Sequence, residues 1–221
     1  MWHRPLGEEK RAVTGAERAE EEFRALVKRV RAELVTSAEF AGFERLLALV
    51  RSRDGGPPAR RARRDELAGI LVAPEQPLWA REIAAFVLGA EGDRRAFETL
   101  ILLLNYREPV RCATAAFVLA RLGDPRTARA AAALATNPLR TAYALHPVRL
   151  LTELRAPESV PALLATLERL LAARDHCWPI ARACVEGLGV LGDRRAEDVL
   201  VAAREHERLR AAAHEALARL T

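Results

Sequence analysis

Residues 109–125 read PVRCATAAFVLARLGDP, and this stretch decides the fold of the chain. A proline opens an apolar-faced segment, and Gly123-Asp124-Pro125 ends it and starts the next, as expected of a helix between two turns. The AAFVL of residues 115–119 also stands 31 residues earlier, at 84–88, again followed by Gly-Asp. Weaker copies end at Gly192-Asp193 and at Leu220. A period of this length is typical of helical solenoids.

The apolar positions of these copies agree when their endings are superimposed. They recur at i, i+3, i+4 and i+7, the spacing of one helix face, which a single helix pair cannot bury alone. These positions are Ala84, Val87, Leu88; Ala115, Val118, Leu119, Leu122; Cys184, Leu188, Leu191; Ala213, Leu217 and Leu220. The sequence therefore predicts an all-α solenoid of about five helix pairs, and no segment shows the alternation of a strand.

Three segments are predicted along the chain. Residues 1–52 form an N-terminal helical extension, with one helix over 15–35 and a second, capped by Ser37, reaching Val50. Residues 53–60 form a Gly/Pro/Arg-rich break, because Gly55-Gly56-Pro57-Pro58 cannot continue a helix, and a helix restarts from Arg60. Residues 61–221 form the repeat array. Within it, Pro147 predicts a short helix over 141–145 and a restart through Leu150, Leu151 and Leu154.

The sequence predicts a cytoplasmic protein. The 221 residues are half hydrophobic with a formal net charge of +5, and the N-terminus lacks an apolar run of signal-peptide type. The apolar run at residues 100–104 is too short to span a bilayer. Three cysteines are an odd count and indicate reduced thiols.

The string V-R-x-x-x-A-x-x-L-A-x-L-G-D-P resembles HEAT repeats, particularly the short HEAT-like class of the phycobilisome lyases. The resemblance covers residues 60–221 and is clearest for the repeats ending at Asp93, Asp124 and Asp193. It implies a concave surface of second helices that holds a partner. It also implies a ladder between repeats formed by these aspartates with early second-helix arginines, although Arg81, Arg111 and Arg182 stand out of register.

One face of the second helices lies outside the apolar stripe and is the predicted partner-binding surface. Its candidate residues are Glu82, Phe86, Phe117, Arg182, Glu186 and Glu215. Two stacked phenylalanines beside small residues are a plausible interaction hot spot. The alternative is that a slight helix rotation buries both rings. The three glutamates argue against a groove for phosphate backbones.

The positive charge is concentrated in residues 51–64, where six arginines stand against Asp54. Arg60, Arg61, Arg63 and Arg64 form a basic segment that would suit nucleic acid or another anionic surface. It has no interleaved aromatic residue, so base stacking is not indicated. The alternative is a solvated linker that continues into a helix.

Three other motifs lack the neighbouring structure, the ligands or the spacing that their function requires. Gly187 to Gly192 matches a dinucleotide fingerprint, but no strand precedes it. His176, Cys177 and Cys184 supply only three local zinc ligands, and Cys184 lies on the core stripe. The HEAT-like deoxyhypusine hydroxylases hold two irons with His-Glu pairs on several repeats, whereas here residues 206–207 and 214–215 lie eight apart near one end. No cofactor or metal is expected.

The sequence therefore favours a non-catalytic scaffold or adaptor that binds another protein on the second helices. The runner-up is a nucleic-acid-associated HEAT protein that uses the basic segment. A third interpretation is a lyase-like enzyme acting on a chromophore or a protein, for which the sequence offers no catalytic residue.

Overall fold

A computed structural model describes residues 14–52, 56–173 and 177–220, and these residues form helices and turns without a β-strand. The twelve α-helices are α1 (Gly15–Glu33), α2 (Ser37–Arg51), α3 (Pro57–Val72), α4 (Leu78–Ala90), α5 (Phe97–Leu104), α6 (Pro109–Leu122), α7 (Arg126–Thr136), α8 (Leu145–Leu154), α9 (Ser159–Ala172), α10 (Trp178–Leu191), α11 (Glu197–Arg204) and α12 (Arg210–Ala218). Short 3₁₀ helices cover Arg94–Ala96, Pro138–Tyr143 and Arg194–Ala196.

From α3 onward the helices form five pairs, α3/α4, α5/α6, α7/α8, α9/α10 and α11/α12, stacked side by side. The second members, α4, α6, α8, α10 and α12, contact one another in sequence and form what we call the second-helix layer. One hydrophobic core runs through the stack and includes the apolar stripe, with Leu88, Leu119 and Leu188 almost fully buried. The predicted all-α solenoid is confirmed.

Three glycines on second helices bring neighbouring second helices into close contact. A Cβ on Gly89 would lie 2.3 Å from Val118 of α6, and one on Gly187 would lie 2.3 Å from Thr152 of α8. A Cβ on Gly189 would lie 2.7 Å from the Ala216 backbone of α12. Gly187 and Gly189 therefore serve helix packing, which gives a physical reason for the formal fingerprint of residues 187–192.

The two N-terminal helices begin with reciprocal caps. Thr14 accepts a hydrogen bond from the Glu17 amide, and the Glu17 carboxylate accepts from the Thr14 amide at 2.7 Å. Thr36 and Glu39 form the same capping box at the start of α2. Thr36, rather than the predicted Ser37, is thus the cap of α2, because its side chain and the Glu39 carboxylate bond each other's backbone.

One predicted helix start is wrong. Helix α3 begins at Pro57 rather than Arg60, because Pro57 and Pro58 occupy the first helical turn, where a missing N–H costs no hydrogen bond. The described part of the predicted 53–60 break is therefore mainly helical, and residues 53–55 lie outside the described ranges. Helix α8 begins at Leu145 and runs through Leu150, Leu151 and Leu154 as predicted, with Pro147 tolerated in its first turn. The 3₁₀ helix Pro138–Tyr143 precedes it and overlaps the predicted short helix.

None of the helices in the described ranges is both long enough and apolar enough to cross a membrane.

Candidate protein-binding surface

The N-terminal helix α1 lies on the second-helix layer. Phe23 of α1 packs on Phe86 of α4 with ring centroids 5.4 Å apart, and Phe86 stacks on Phe117 of α6 at 6.3 Å and 13°. The Arg18 guanidinium stands 5.6 Å from the Phe117 ring centroid. The rings of α1, α4 and α6 form one continuous row of contacts, tilted by 40° between Phe23 and Phe86 and stacked between Phe86 and Phe117. Phe86 and Phe117 are 3% and 8% exposed.

The other end of α1 is held by an ion-pair network around the buried Glu82 and Arg111. Glu82, whose side chain is 1% exposed, accepts hydrogen bonds from Arg29 of α1 on one carboxylate oxygen and from Arg111 of α6 on the other. Arg111 also donates to Glu33 of α1 and to Glu108, both at 2.6 Å, and Arg29 donates to Glu33 at 3.0 Å. The five groups connect α1, α4 and the start of α6.

These contacts also fix the direction of α1. Its early residue Arg18 meets Phe117, late in α6, whereas its last residue Glu33 meets Arg111, early in α6. Helix α1 therefore runs antiparallel to α4 and α6. Leu26 and Val30, on the face that carries Phe23, are buried at 1% and 0% exposure. The helix is part of the core as well as part of the surface.

Burial and ion pairing act against each other on the pKa values of this network. Burial raises the pKa of Glu82, and the hydrogen bond from Arg29 and the charges of Arg29 and Arg111 oppose that rise. Burial alone would lower the pKa of Arg111, but its hydrogen bond to Glu108 and the charges of Glu82 and Glu33 raise it overall. Both Glu82 oxygens accept from guanidinium groups, so the geometry suits an ionised carboxylate.

Three predicted surface residues are thus not on an open surface. Glu82, Phe86 and Phe117 are buried, because α1 covers the part of the layer that they occupy. The alternative considered from the sequence, that both rings are buried, describes the structure. The covering element, however, is α1 rather than a rotation of the second helices.

The remaining three candidates lie together on α10 and α12, which α1 does not cover. We call this the uncovered part of the layer, as judged from the described residues. Arg182 donates to Glu186 at 2.7 Å, and their side chains are 64% and 52% exposed. This hydrogen bond first, and then the charges of Glu186 and Glu215, raise the pKa of Arg182. The structure therefore brings Arg182, Glu186 and Glu215 into one exposed group on α10 and α12. Val190, also on α10, is 39% exposed.

The turn aspartates accept hydrogen bonds from the start of the helices that follow them. Asp93, Asp124 and Asp193 each accept from the amide two residues ahead, at 3.1, 2.9 and 2.9 Å. Each also pairs with the guanidinium of that residue, and these hydrogen bonds hold the aspartate pKa values low, to about 2 for Asp193.

The ion pairs that reach from the aspartate turns to the preceding repeat use arginines other than those predicted, although Arg111 also joins two repeats through Glu82. Arg95 reaches Asp65 at 2.7 Å, and Arg126 reaches Glu98 at 3.0 Å. Arg111 pairs with Glu82, Arg182 pairs with Glu186, and Arg81 donates to the backbone oxygen of Gln76. The predicted ladder joined the turn aspartates to early second-helix arginines. In the structure, the arginine two residues after the turn aspartate makes the ion pair with the preceding repeat, as Arg95 and Arg126 do.

Three of the four arginines of the basic segment form internal ion pairs, including the exposed Arg61 with Asp65 at 4.0 Å. Arg63 is 7% exposed and pairs with Glu91, which also accepts from Arg64 at 3.1 Å. Arg60 and Arg61 are exposed on the first turn of α3. Arg63 lies one and two turns before the buried Leu67 and Leu71, on the buried face of α3. The prediction of a continuous basic surface is wrong at Arg63 for this reason.

The described cysteine and histidine candidates do not form a metal site. Cys184 is buried, and burial raises its pKa to about 12, so it remains a neutral thiol in the core. Cys177 is half-buried, and His176 lies outside the described ranges. The His206 ring packs on Trp178 at 5.5 Å. Within the described ranges, no three His, Cys, Asp or Glu side chains are grouped to hold a metal ion.

No protein-family model and no curated protein matches this chain. Among solved structures, it is similar to human deoxyhypusine hydroxylase in complex with glycerol. The likeness covers 93% of this chain and 98% of that chain, with 15% sequence identity and a TM-score of 0.31. A likeness at that score carries no conclusion about activity. The helical-repeat fold follows from the five stacked pairs themselves.

Proposed function

We propose that this protein is a non-catalytic scaffold that binds another protein on the uncovered part of its second-helix layer. The observation that carries the proposal is the docking of α1 on α4 and α6. The layer holds that amphipathic helix through stacked rings and charge pairs, which are the contacts used in helix-in-groove recognition. The layer continues into α10 and α12, where exposed charged residues replace the buried rings.

The chemistry of the uncovered part suits a protein partner. Arg182, Glu186 and Glu215 offer both signs of charge within one group, and Val190 adds apolar surface. Mixed charge around apolar surface is the composition of an interface rim and supports specificity between proteins. A nucleic-acid backbone, in contrast, requires a surface of one sign.

The test is capture of proteins from native lysate by the wild-type chain and by two charge-reversed variants. Arg182→Glu/Glu215→Arg alters the uncovered layer. Arg129→Glu/Glu168→Arg makes the same exchange on the first helices α7 and α9, where both side chains are exposed. The proposal expects a protein that survives nuclease treatment, is lost from the first variant and is retained by the second.

Two outcomes would contradict the proposal. Equal capture by both variants would place the binding site elsewhere on the molecule. Loss of all captured proteins on nuclease treatment would favour the nucleic-acid interpretation, for which Arg60 and Arg61 remain available on α3.

A further inference from the structure

A groove of about 630 Å³ lies between α1 and the C-terminal end of α2. Its apolar lining is formed by Phe23 and Val27, which are half-buried, and by the buried Val50 of α2. Phe23 is shared between two surfaces, because its ring also packs on Phe86 of the second-helix layer. The groove is therefore built on a side chain whose position is fixed.

The charged lining of the groove is mostly cationic. Glu20 and Arg24 pair with each other at 3.1 Å. Lys28, Arg31 and Arg51 are exposed, and among the described residues none of them has an ion-pair partner. Within the described part of the chain, the groove thus has three positive charges without an ion-pair partner around an apolar floor.

The spacing of the α1 residues sets the shape of an occupant. The lining residues recur every three or four positions from Glu20 to Arg31, so they form one straight stripe along α1. At about 1.5 Å per residue, the stripe is about 16 Å long, which is about three helical turns. A partner helix lying beside α1 would contact the stripe along that length.

Two other occupants fit less well. A second copy of this chain would place one cationic stripe against another, and like charges in contact oppose association. Single-stranded nucleic acid binds by stacking bases on exposed aromatic faces, whereas the Phe23 ring is engaged with Phe86.

We propose that the groove between α1 and α2 binds an acidic amphipathic helix of a partner protein. The apolar face of that helix contacts Phe23, Val27 and Val50, and its carboxylates pair with Lys28, Arg31 and Arg51. This site is separate from the uncovered part of the second-helix layer, so its test is independent of the test of the proposed function.

The test uses a fluorescently labelled synthetic peptide of about 15 residues, about four helical turns, with leucine on one face and glutamate on the other. Binding is measured by fluorescence anisotropy with the full chain. Two further probes separate the sources of binding: a peptide of the same composition with its amphipathic order scrambled, and a single-stranded oligonucleotide of equal charge.

Matched variants locate the site. Lys28→Glu/Arg31→Glu/Arg51→Glu reverses the groove, and Arg107→Glu/Arg129→Glu/Arg210→Glu reverses three exposed arginines outside it. We expect the groove variant to weaken peptide binding about tenfold or more, and the control to change it less than about twofold. Circular dichroism and the unfolding midpoint establish that both variants are folded.

The peptide must bind the wild type more tightly than the scrambled peptide and the oligonucleotide do. Equal binding of the scrambled peptide, tighter binding of the oligonucleotide, equal losses in the two variants, or no peptide binding would each overturn the proposal. The first two outcomes would show a general polyanion surface, and the third would place the contact elsewhere.

Discussion

The covered and uncovered parts of the second-helix layer use the same repeat positions for different purposes. Phe86 and Phe117, under α1, occupy the position that Glu186 and Glu215 occupy on α10 and α12. The first pair is almost fully buried and stacked, whereas the second pair is exposed. The stacking of the second helices on one another is common to both parts.

This difference shows that the residue type at this repeat position depends on whether another helix covers that part of the second-helix layer. An aromatic ring is stabilised when another element removes it from water, and a carboxylate is stabilised when it remains hydrated. The exception is Glu82, a carboxylate under α1, which is possible only because two guanidinium groups meet it. The covered part is therefore held by rings and by a buried charge.

The largest expected effect comes from removing that buried charge. Glu82→Ala leaves Arg29 and Arg111 without their shared acceptor, and losing one partner of a buried ion pair typically costs about 3–5 kcal/mol. The low end of this range is expected, because both arginines keep Glu33 as a partner. Urea unfolding measures the loss. Arg182→Ala is the matched control, since Arg182 holds the same repeat position on the uncovered part, and its midpoint should equal that of wild type. Equal losses in the two variants would show that coverage by α1 does not distinguish the two parts.

The close glycine contacts should be equally sensitive in both parts. Gly89→Ala and Gly189→Ala add a methyl group against Val118 and Ala216, and overpacking of this kind costs about 1–3 kcal/mol. Gly69→Ala is the control, because Gly69 is exposed on α3 and an added Cβ would meet no atom within 4 Å. Helix propensity predicts that this control gains about 0.5–1 kcal/mol. If either layer variant also gained stability, the helices would not be packed as closely as the structure shows.

The contact between α1 and the layer can be isolated by a double-mutant cycle of Phe23→Ala and Phe86→Ala. Ring pairs contribute about 0.5–1.5 kcal/mol beyond the area that they bury, so a coupling energy of that size is expected. A parallel cycle of Phe23→Ala with Glu186→Ala should be additive. Additivity in both cycles would mean that α1 does not pack on α4 through these rings.

The repeat array was predictable from the sequence, because each repeat has its own local signals. Gly123 ends α6 with φ of 65° and Gly192 ends α10 with φ of 69°, a conformation that favours glycine, and an aspartate cap follows each turn. The predicted apolar stripe forms the core for the same reason. The i, i+4 spacing of Arg63 with Leu67 and Leu71 also contained the signal that Arg63 is buried.

The covering of the layer by α1 was not predicted, because it depends on contacts between residues about sixty positions apart, such as Phe23 and Phe86. Repeat spacing gives no information on such contacts. Two signals were nevertheless present in the sequence. Helix α1 had an apolar stripe without an assigned partner, and phenylalanine occupied the shared repeat position only in α4 and α6.

The smallest expected effect concerns a feature that both parts share, the aspartate cap after a second helix. Arg195 lowers the pKa of Asp193 to about 2 in the folded chain, below the value of about 4 for an unfolded aspartate. A lowered acid pKa adds stability above the unfolded value, and this contribution is lost as the pH falls through about 4 to about 2. In Asp193→Asn the side chain still accepts the capping hydrogen bond but has no charge. Unfolding midpoints measured across this range should therefore fall more steeply in wild type than in the variant, and the two should converge near pH 2. If the midpoints of wild type and variant differed by the same amount at every pH, the ion pair of Asp193 with Arg195 would not contribute to stability.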